Sequence, residues 1–288
     1  MVLLFVFIFG LLIGSFLNVL ILRHNTGMPW AVGKSKCFHC NKNLEWYELI
    51  PVFSFITQKG RCNGCKAKIS LQYPLVELIT AFVFTLSYLK FSEFFSYLSF
   101  YLNSPSSSAL KFLKAEAANY FPGFQEAFFI AGAWMFFSAL IVISVYDLYH
   151  KIIPNFYSHF LFFFSLAFAF FSSVLFFDFN SFLNSLLSGF LFFLIFFLLS
   201  FVSRERWMGY GDSKLAVSLG LFLGPLKSFL TFLFSFWIGA IAGIFILIFL
   251  KKAGLKTQIP FAPFLALAAF LSFLIEINFL LPLLLRFY

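Results

Sequence analysis

Eight separate stretches of this sequence are apolar for most of their length: residues 1–22, 74–90, 127–146, 156–177, 185–202, 213–226, 228–250 and 261–284. Crossing the hydrocarbon core of a bilayer takes about 20 helical residues. Backbone N–H and C=O groups in lipid must be satisfied within the spanning structure, which leaves helices or closed barrels, and continuous apolar runs select helices. Only 11% of the 288 residues are charged and 62% are hydrophobic, whereas soluble domains carry about 25% charged residues. A chain this apolar cannot stay solvated as a coil, so disorder is excluded as well. The expected fold class is an all-α polytopic membrane protein with about eight transmembrane helices.

The charge balance follows from that class. Twenty Lys and Arg against 11 Asp and Glu give a net charge of +9, which in a soluble chain would suggest a nucleic-acid partner. In a membrane chain basic residues gather in cytoplasmic loops whatever the protein does, so lipid and no nucleic acid is expected as the surroundings. Placing the polar segment after residue 22 inside the cell puts 15 basic residues there. These are Arg23, Lys34, Lys36, Lys42, Lys59, Arg61, Lys66, Lys68, Lys151, Arg204, Arg206, Lys214, Lys251, Lys252 and Lys256. Five remain on the other face: Lys90, Lys111, Lys114, Lys227 and Arg286. That asymmetry predicts a cytoplasmic Cys-containing segment and both termini outside. Residues 1–22 lack a charged leading region and a small-residue cleavage site, so they read as a retained helix and not a signal peptide.

Three regions result: helix 1 over 1–22, a polar Cys-rich segment over 23–73, and a transmembrane region over 74–288 carrying helices 2 to 8. A Ser/Pro patch at 103–108 reads as an interfacial loop. The sixth run, Ser213 to Leu226, closes on Gly224-Pro225 and is too short to cross at full thickness. Asp212 is thereby expected near or within the membrane.

All four cysteines fall in the polar segment, as Cys37-x-x-Cys40 and Cys62-x-x-Cys65. Two such knuckles match a four-Cys zinc pattern, in which short loops bring four thiolates to one tetrahedral ion. Such a site is closed, and therefore structural. A redox pair is the competing reading; paired disulfides fit poorly on a reducing face. His39 reads as a spare ligand or a solvated loop residue.

Acids at membrane depth are costly and mark function. Glu77, Asp147, Asp212 and Glu276 lie in or at apolar runs. Asp147 ends the third run, Asp212 follows Gly209-Tyr-Gly211, and the topology puts both on one face. The glycines leave room for a substrate backbone to approach. Two carboxyls sharing a site can divide the work, one holding a proton as acid while the other activates water as base. The alternative is that each caps a helix or pairs with Lys151 or Lys214. Spacing alone leaves both open.

Taken in order, the polar residues resemble a known family. Gly14-Ser-Phe-Leu-Asn18 is followed by the two knuckles with Trp46-Tyr-Glu-Leu-Ile-Pro51 between them, and then by Ile69-Ser-Leu-Gln-Tyr-Pro74-Leu-Val-Glu77. Asp147 with Ile153-Pro154, Gly209-Tyr-Gly211-Asp212-Ser-Lys214 and Ile259-Pro-Phe-Ala-Pro263-Phe complete the series. The chain is similar to the prepilin peptidases, bifunctional type IV prepilin leader peptidases and N-methyltransferases of the Gly-x-Gly-Asp intramembrane aspartyl protease group.

The resemblance implies a protein of the bacterial inner membrane whose substrates are prepilins or pseudopilins of type IV pili or type II secretion. It implies removal of their basic leader after a Gly at the cytoplasmic face, then N-methylation with S-adenosylmethionine. Asp147 and Asp212 become the expected catalytic pair, Cys37, Cys40, Cys62 and Cys65 the expected zinc ligands, and the Cys-rich segment the methylation-associated domain. Glu77 becomes a candidate partner of the substrate amine or another cation, with helix-end pairing as the alternative, and Glu276 reads as structural. The chain departs from the family pattern at Phe38, where Pro is frequent, and at Glu48, where an amide is common. No Gly-rich strand-to-helix fingerprint marks the methyl-donor residues. Readings from other classes are an ion-coupled transporter and a non-enzymatic assembly scaffold.

Overall fold

The described residues of the eight apolar runs are helical almost throughout, since intrahelical hydrogen bonds satisfy a backbone surrounded by hydrocarbon. The computed structural model describes residues 1–26, 35–102, 122–206, 208–249 and 259–275, without the side chains of 92–102 and 122–124. The Ser/Pro patch, Lys251, Lys252, Lys256 and Glu276 lie outside the described residues. Eight α-helices occur among those described: α1 Val2–Arg23, α2 Phe53–Thr57, α3 Gln72–Leu102, α4 Pro122–His150, α5 Asn155–Leu175, α6 Phe179–Ser203, α7 Tyr210–Phe249 and α8 Ala262–Leu274. A short 3-10 turn, Trp46–Leu49, precedes α2. Six helices (α1, α3, α4, α5, α6 and α7) are long and apolar enough to cross a membrane.

The sixth and seventh runs, expected as separate stretches, are two helices that meet at a kink, 210–223 and 225–249, labelled together as α7. The helix breaks at Gly224, whose φ of 74° and ψ of 177° leave the helical region. Pro225 dictates the break: it donates no N–H and its ring collides with the carbonyl one turn back. Glycine is the residue that tolerates the resulting conformation.

The chain divides into two compact units, Met1–Phe94 with Ala133–Val142, and Phe95–Gly132 with Ile143–Tyr288. In the first, α1 and α3 touch backbone to backbone. A Cβ at Gly10 would stand 2.6 Å from the Ala81 Cα, and one at Gly14 would stand 2.6 Å from the Glu77 Cα. Small residues four apart are what let membrane helices approach this closely. Asn18, 1% exposed, sits one turn beyond Gly14 and donates to the carbonyls of Gly14 (3.3 Å) and Tyr73 (3.2 Å). Trp134 stacks on Phe84 at 4.6 Å and donates its indole N–H to the Phe84 carbonyl.

The second unit is organised by small residues as well. The buried face of α5 reads Ser158, Leu161, Ser165, Ala169, Ser173, a spacing of three and four that forms one helical stripe. Ser158 and Ser165 return their hydroxyls to carbonyls in the preceding turn, so no polar atom is stranded. Gly220 of α7 packs on α6, where a Cβ would lie 2.6 Å from the Gly189 Cα. Side-chain bonds between helices add specificity: Ser188 to Ser228 at 3.3 Å and Thr231 to Ser272 at 2.6 Å. Phenylalanines such as Phe156, Phe163 and Phe201 are exposed, where lipid is the expected neighbour.

Candidate active site and metal centre

Asp147 lies one turn before the end of α4 and Asp212 in the first turn of α7. Both are buried, at 5% and 7% exposed, and they are near enough for the Asp147 charge to act on Asp212. Asp147 Oδ2 accepts the backbone N–H of Ala262 at 3.2 Å. That N–H is free to donate because it opens α8, where the first turn has no carbonyl partners of its own. Asp212 is positioned by a tight backbone turn, its N–H reaching the Gly209 carbonyl at 3.1 Å.

Pairing with a loop lysine, the alternative left open by spacing, is not what the structure contains. Lys214 instead donates to Asn155 Oδ1 at 2.9 Å and lies over the Tyr210 ring. Among the described residues neither aspartate makes an ion pair. The two glycines also divide their roles. A Cβ at Gly211 would meet the Ile153 side chain at 3.1 Å and press on it, whereas at Gly209 the nearest atom among the described residues would be Asp212 Oδ2 at 3.7 Å. Among the described residues Gly209 is the less crowded of the two, beside the carboxyl.

The four cysteines converge. Their sulfurs all lie within 4.8 Å of one another, and Cys37 Sγ stands 3.8 Å from Cys65 Sγ. All four are free thiols. A tetrahedral ion with Zn–S bonds of about 2.3 Å has an S···S edge of roughly 3.8 Å, so the residues fit a metal ion. The two knuckles share one hydrogen-bond plan. The Cys37 carbonyl accepts from Asn41 N–H and the Cys62 carbonyl from Lys66 N–H, while their own N–H groups donate to Lys42 and Ala67. Asn41 and Lys66 carry the positive φ, 54° and 60°, that turns each loop back. Backbone N–H groups of Cys40 and then His39 pull the Cys37 thiol down to about 6, favouring the thiolate that metals bind.

Glu48 ties the knuckles together. Its carboxylate takes the Lys42 ammonium at 3.3 Å from the first, Asn63 Nδ2 at 2.9 Å from the second, and the Glu45 N–H at 3.0 Å. The Glu45 N–H first, with Asn63 and Lys42, holds the carboxyl below its ordinary range against the opposing effect of burial. Glu77 is also buried, at 6% exposed, but among the described residues it accepts only the Val52 N–H at 2.7 Å and the Ser15 hydroxyl. No Lys or Arg among the described residues reaches ion-pair distance of it. A cavity of about 370 Å³ runs between the end of α1, the knuckles and the start of α3, with Glu77 in its wall.

Sequence reasoning brought out the aspartates and cysteines but assigned no role to the Ala262 N–H or to Glu48. The first had a visible signal in Pro263, which follows Ala262 at a helix start. The second could be read only as a departure from a pattern.

Fold and site together define a polytopic helical membrane protein with two buried carboxyls brought together at helix ends and a four-thiol cluster that could hold a metal ion. The bacterial Peptidase A24 N-terminal domain matches residues 8–91, and the type IV leader peptidase family matches residues 134–244. The chain belongs to the type IV leader peptidase family. It is 30% identical to the prepilin leader peptidase/N-methyltransferase of Bacillus subtilis over 93% of this chain and 92% of that protein. Its counterpart in Pseudomonas aeruginosa is 30% identical, over 92% of this chain and 87% of that one. The type 4 prepilin-like proteins leader peptide-processing enzyme of Escherichia coli is 28% identical, over 94% and 93% respectively. No solved structure matches the chain.

Proposed function

We propose that this chain is a membrane-embedded aspartyl endopeptidase of the bacterial inner membrane. It removes the basic leader of type IV prepilins or pseudopilins at the cytoplasmic face and methylates the new N-terminus. The observation that carries this reading is the pair of buried carboxyls, Asp147 and Asp212, within electrostatic reach of each other and of no paired cation among the described residues. Family membership supports it over a transporter or an assembly scaffold.

The hydrolysis needs one protonated and one ionised carboxyl, a division that like charges sharing a site enforce. The ionised aspartate takes a proton from water as its oxygen attacks the scissile carbonyl, and the protonated one gives its proton to the carbonyl oxygen. Collapse of the tetrahedral species breaks the C–N bond and delivers a proton to the departing amine, leaving acid and amine. The Ala262 N–H holds Asp147 in place throughout. A prepilin suits this site because its hydrophobic helix lies against lipid-facing helices while its basic leader stays in water.

Cys37, Cys40, Cys62 and Cys65 are read as ligands of one structural zinc, which fixes the knuckles and keeps no open position for chemistry. The basic-residue asymmetry supports placing this segment, 23–73, inside the cell and the termini outside, with 74–288 forming the peptidase region. S-adenosylmethionine, when bound, supplies the methyl group, and the 370 Å³ cavity lies within the range of small-molecule sites, about 300–1,000 Å³. Mass spectrometry of a co-expressed prepilin tests the whole reading. Loss of the leader and gain of one methyl on the new amine are expected, and an intact leader overturns it.

A further inference from the structure

The cavity under the knuckles has a wall no structural role accounts for. Buried carboxylates are normally paired or fully hydrogen-bonded, because desolvating an uncompensated charge costs several kcal/mol. Glu48 meets that requirement and Glu77 does not, although both line the same cavity. The carboxylate of Glu77 holds the N–H of Val52, whose φ of 60° and ψ of −48° are strained for a β-branched residue. The Phe53 N–H to Pro51 carbonyl bond of 2.6 Å closes a γ-turn around it. Strain of this kind persists where the surroundings over-determine it, characteristically at ligand clamps. The remaining walls are of two kinds. Phe38, Phe55 and Tyr73 offer aromatic surface, while Arg23, Lys36 and Lys68 bring positive charge to the same space.

An anion without a cation, aromatic surface and a basic patch around one volume describe a ligand with a positive centre, a flat ring and a carboxylate. We propose that the cavity is the seat of S-adenosylmethionine and that Glu77 provides the counter-charge to its sulfonium. This rests on the methylation reading above and adds to it the site and the residue that recognises the charge. Glu77 positions the donor; the basic patch takes the carboxylate end and the aromatic walls the adenine.

The charge argument has a readout independent of activity. S-adenosylhomocysteine has the same adenosyl and amino-acid parts but a neutral sulfur. Titration calorimetry on the purified full-length chain in detergent should therefore find S-adenosylmethionine bound several-fold more tightly. Glu77→Gln keeps an acceptor for the Val52 N–H and removes only the charge. It should weaken S-adenosylmethionine by about tenfold or more, the scale of a buried charge partner, and leave S-adenosylhomocysteine within about twofold. Retained zinc and monodisperse elution check folding. Leu22→Trp, which fills the cavity from a half-buried wall position, should abolish binding of both.

An unchanged ratio of the two affinities in Glu77→Gln overturns the assignment, as does normal binding by Leu22→Trp. If either occurs while the unmodified chain methylates a pilin, only the site is wrong. An unmodified chain that cleaves prepilin yet neither methylates it nor binds S-adenosylmethionine overturns the methylation reading and this inference with it.

Discussion

The knuckle segment and the aspartate site treat buried acid in opposite ways. Near the knuckles, Glu48 has an ammonium, an amide and a backbone N–H, and its carboxylate is fully engaged. In the second unit Asp147 has one backbone N–H and no ion pair among the described residues, with another carboxyl as its electrostatic neighbour. A satisfied carboxylate holds structure together and has no capacity left for a reacting water. An under-satisfied one is costly to keep and remains available for chemistry, so buried acids here sort by their partners more than by depth.

Removing the under-satisfied groups should have the largest effect on activity. Asp147→Asn or Asp212→Asn should lower prepilin cleavage in isolated membranes by about 10²–10⁴-fold, the usual worth of a positioned acid or base. Undiminished cleavage by either variant sinks the pair. Next comes the metal. Cys62→Ser with Cys65→Ser forfeits a site worth on the order of 10 kcal/mol in small zinc modules. Metal analysis should fall from about one zinc per chain to none, with methylation lost, and cleavage assayed separately tells whether the peptidase needs the metal.

The satisfied acid should show itself in stability. Glu48→Gln should destabilise the knuckle segment by about 1.5–3 kcal/mol, the range for hydrogen bonds to a charged group, seen as earlier zinc release on heating. Glu48 titrates below its ordinary value of 4.5 in the folded chain. Its contribution is thus fully present above the unfolded carboxylate range and disappears as pH falls through the depressed folded value, and the Gln variant should lack that acid-side loss. A zinc-release profile identical to the unmodified chain's at every pH would erase the contrast between the two kinds of acid. The smallest effect is packing: Gly220→Val at the α6–α7 contact should cost about 1–3 kcal/mol through overpacking, read as a lower unfolding temperature in detergent.

Much of this was legible in the sequence because its signals are carried by side chains. Runs of lipid length, two Cys-x-x-Cys pairs and acids inside apolar stretches each announce themselves. The Ala262 N–H did so only faintly, since a backbone donor exists at every non-proline position and Pro263 marks the helix start without naming the acceptor. The stripe Ser158, Ser165, Ser173 was present in the letters, but serines among apolar neighbours carry no mark of the helix they face. This fold buries small residues and turns many of its 51 phenylalanines outward, a sorting that composition alone does not display. Glu77 had a position but no environment until the cavity was seen.

The break at Gly224 reaches beyond the shape of one helix. From Tyr210 to Leu223 the first limb of α7 holds 14 residues, which at 1.5 Å per residue is about 21 Å, against a hydrocarbon core of about 30 Å. A limb that short, with Asp212 in its first turn, fits a locally thinned bilayer better than a thick one. On the proposed function the lipid would be a participant in hydrolysis: acyl-chain length would set how far water must travel to the carboxyls, and the rate of leader removal would gauge membrane thickness.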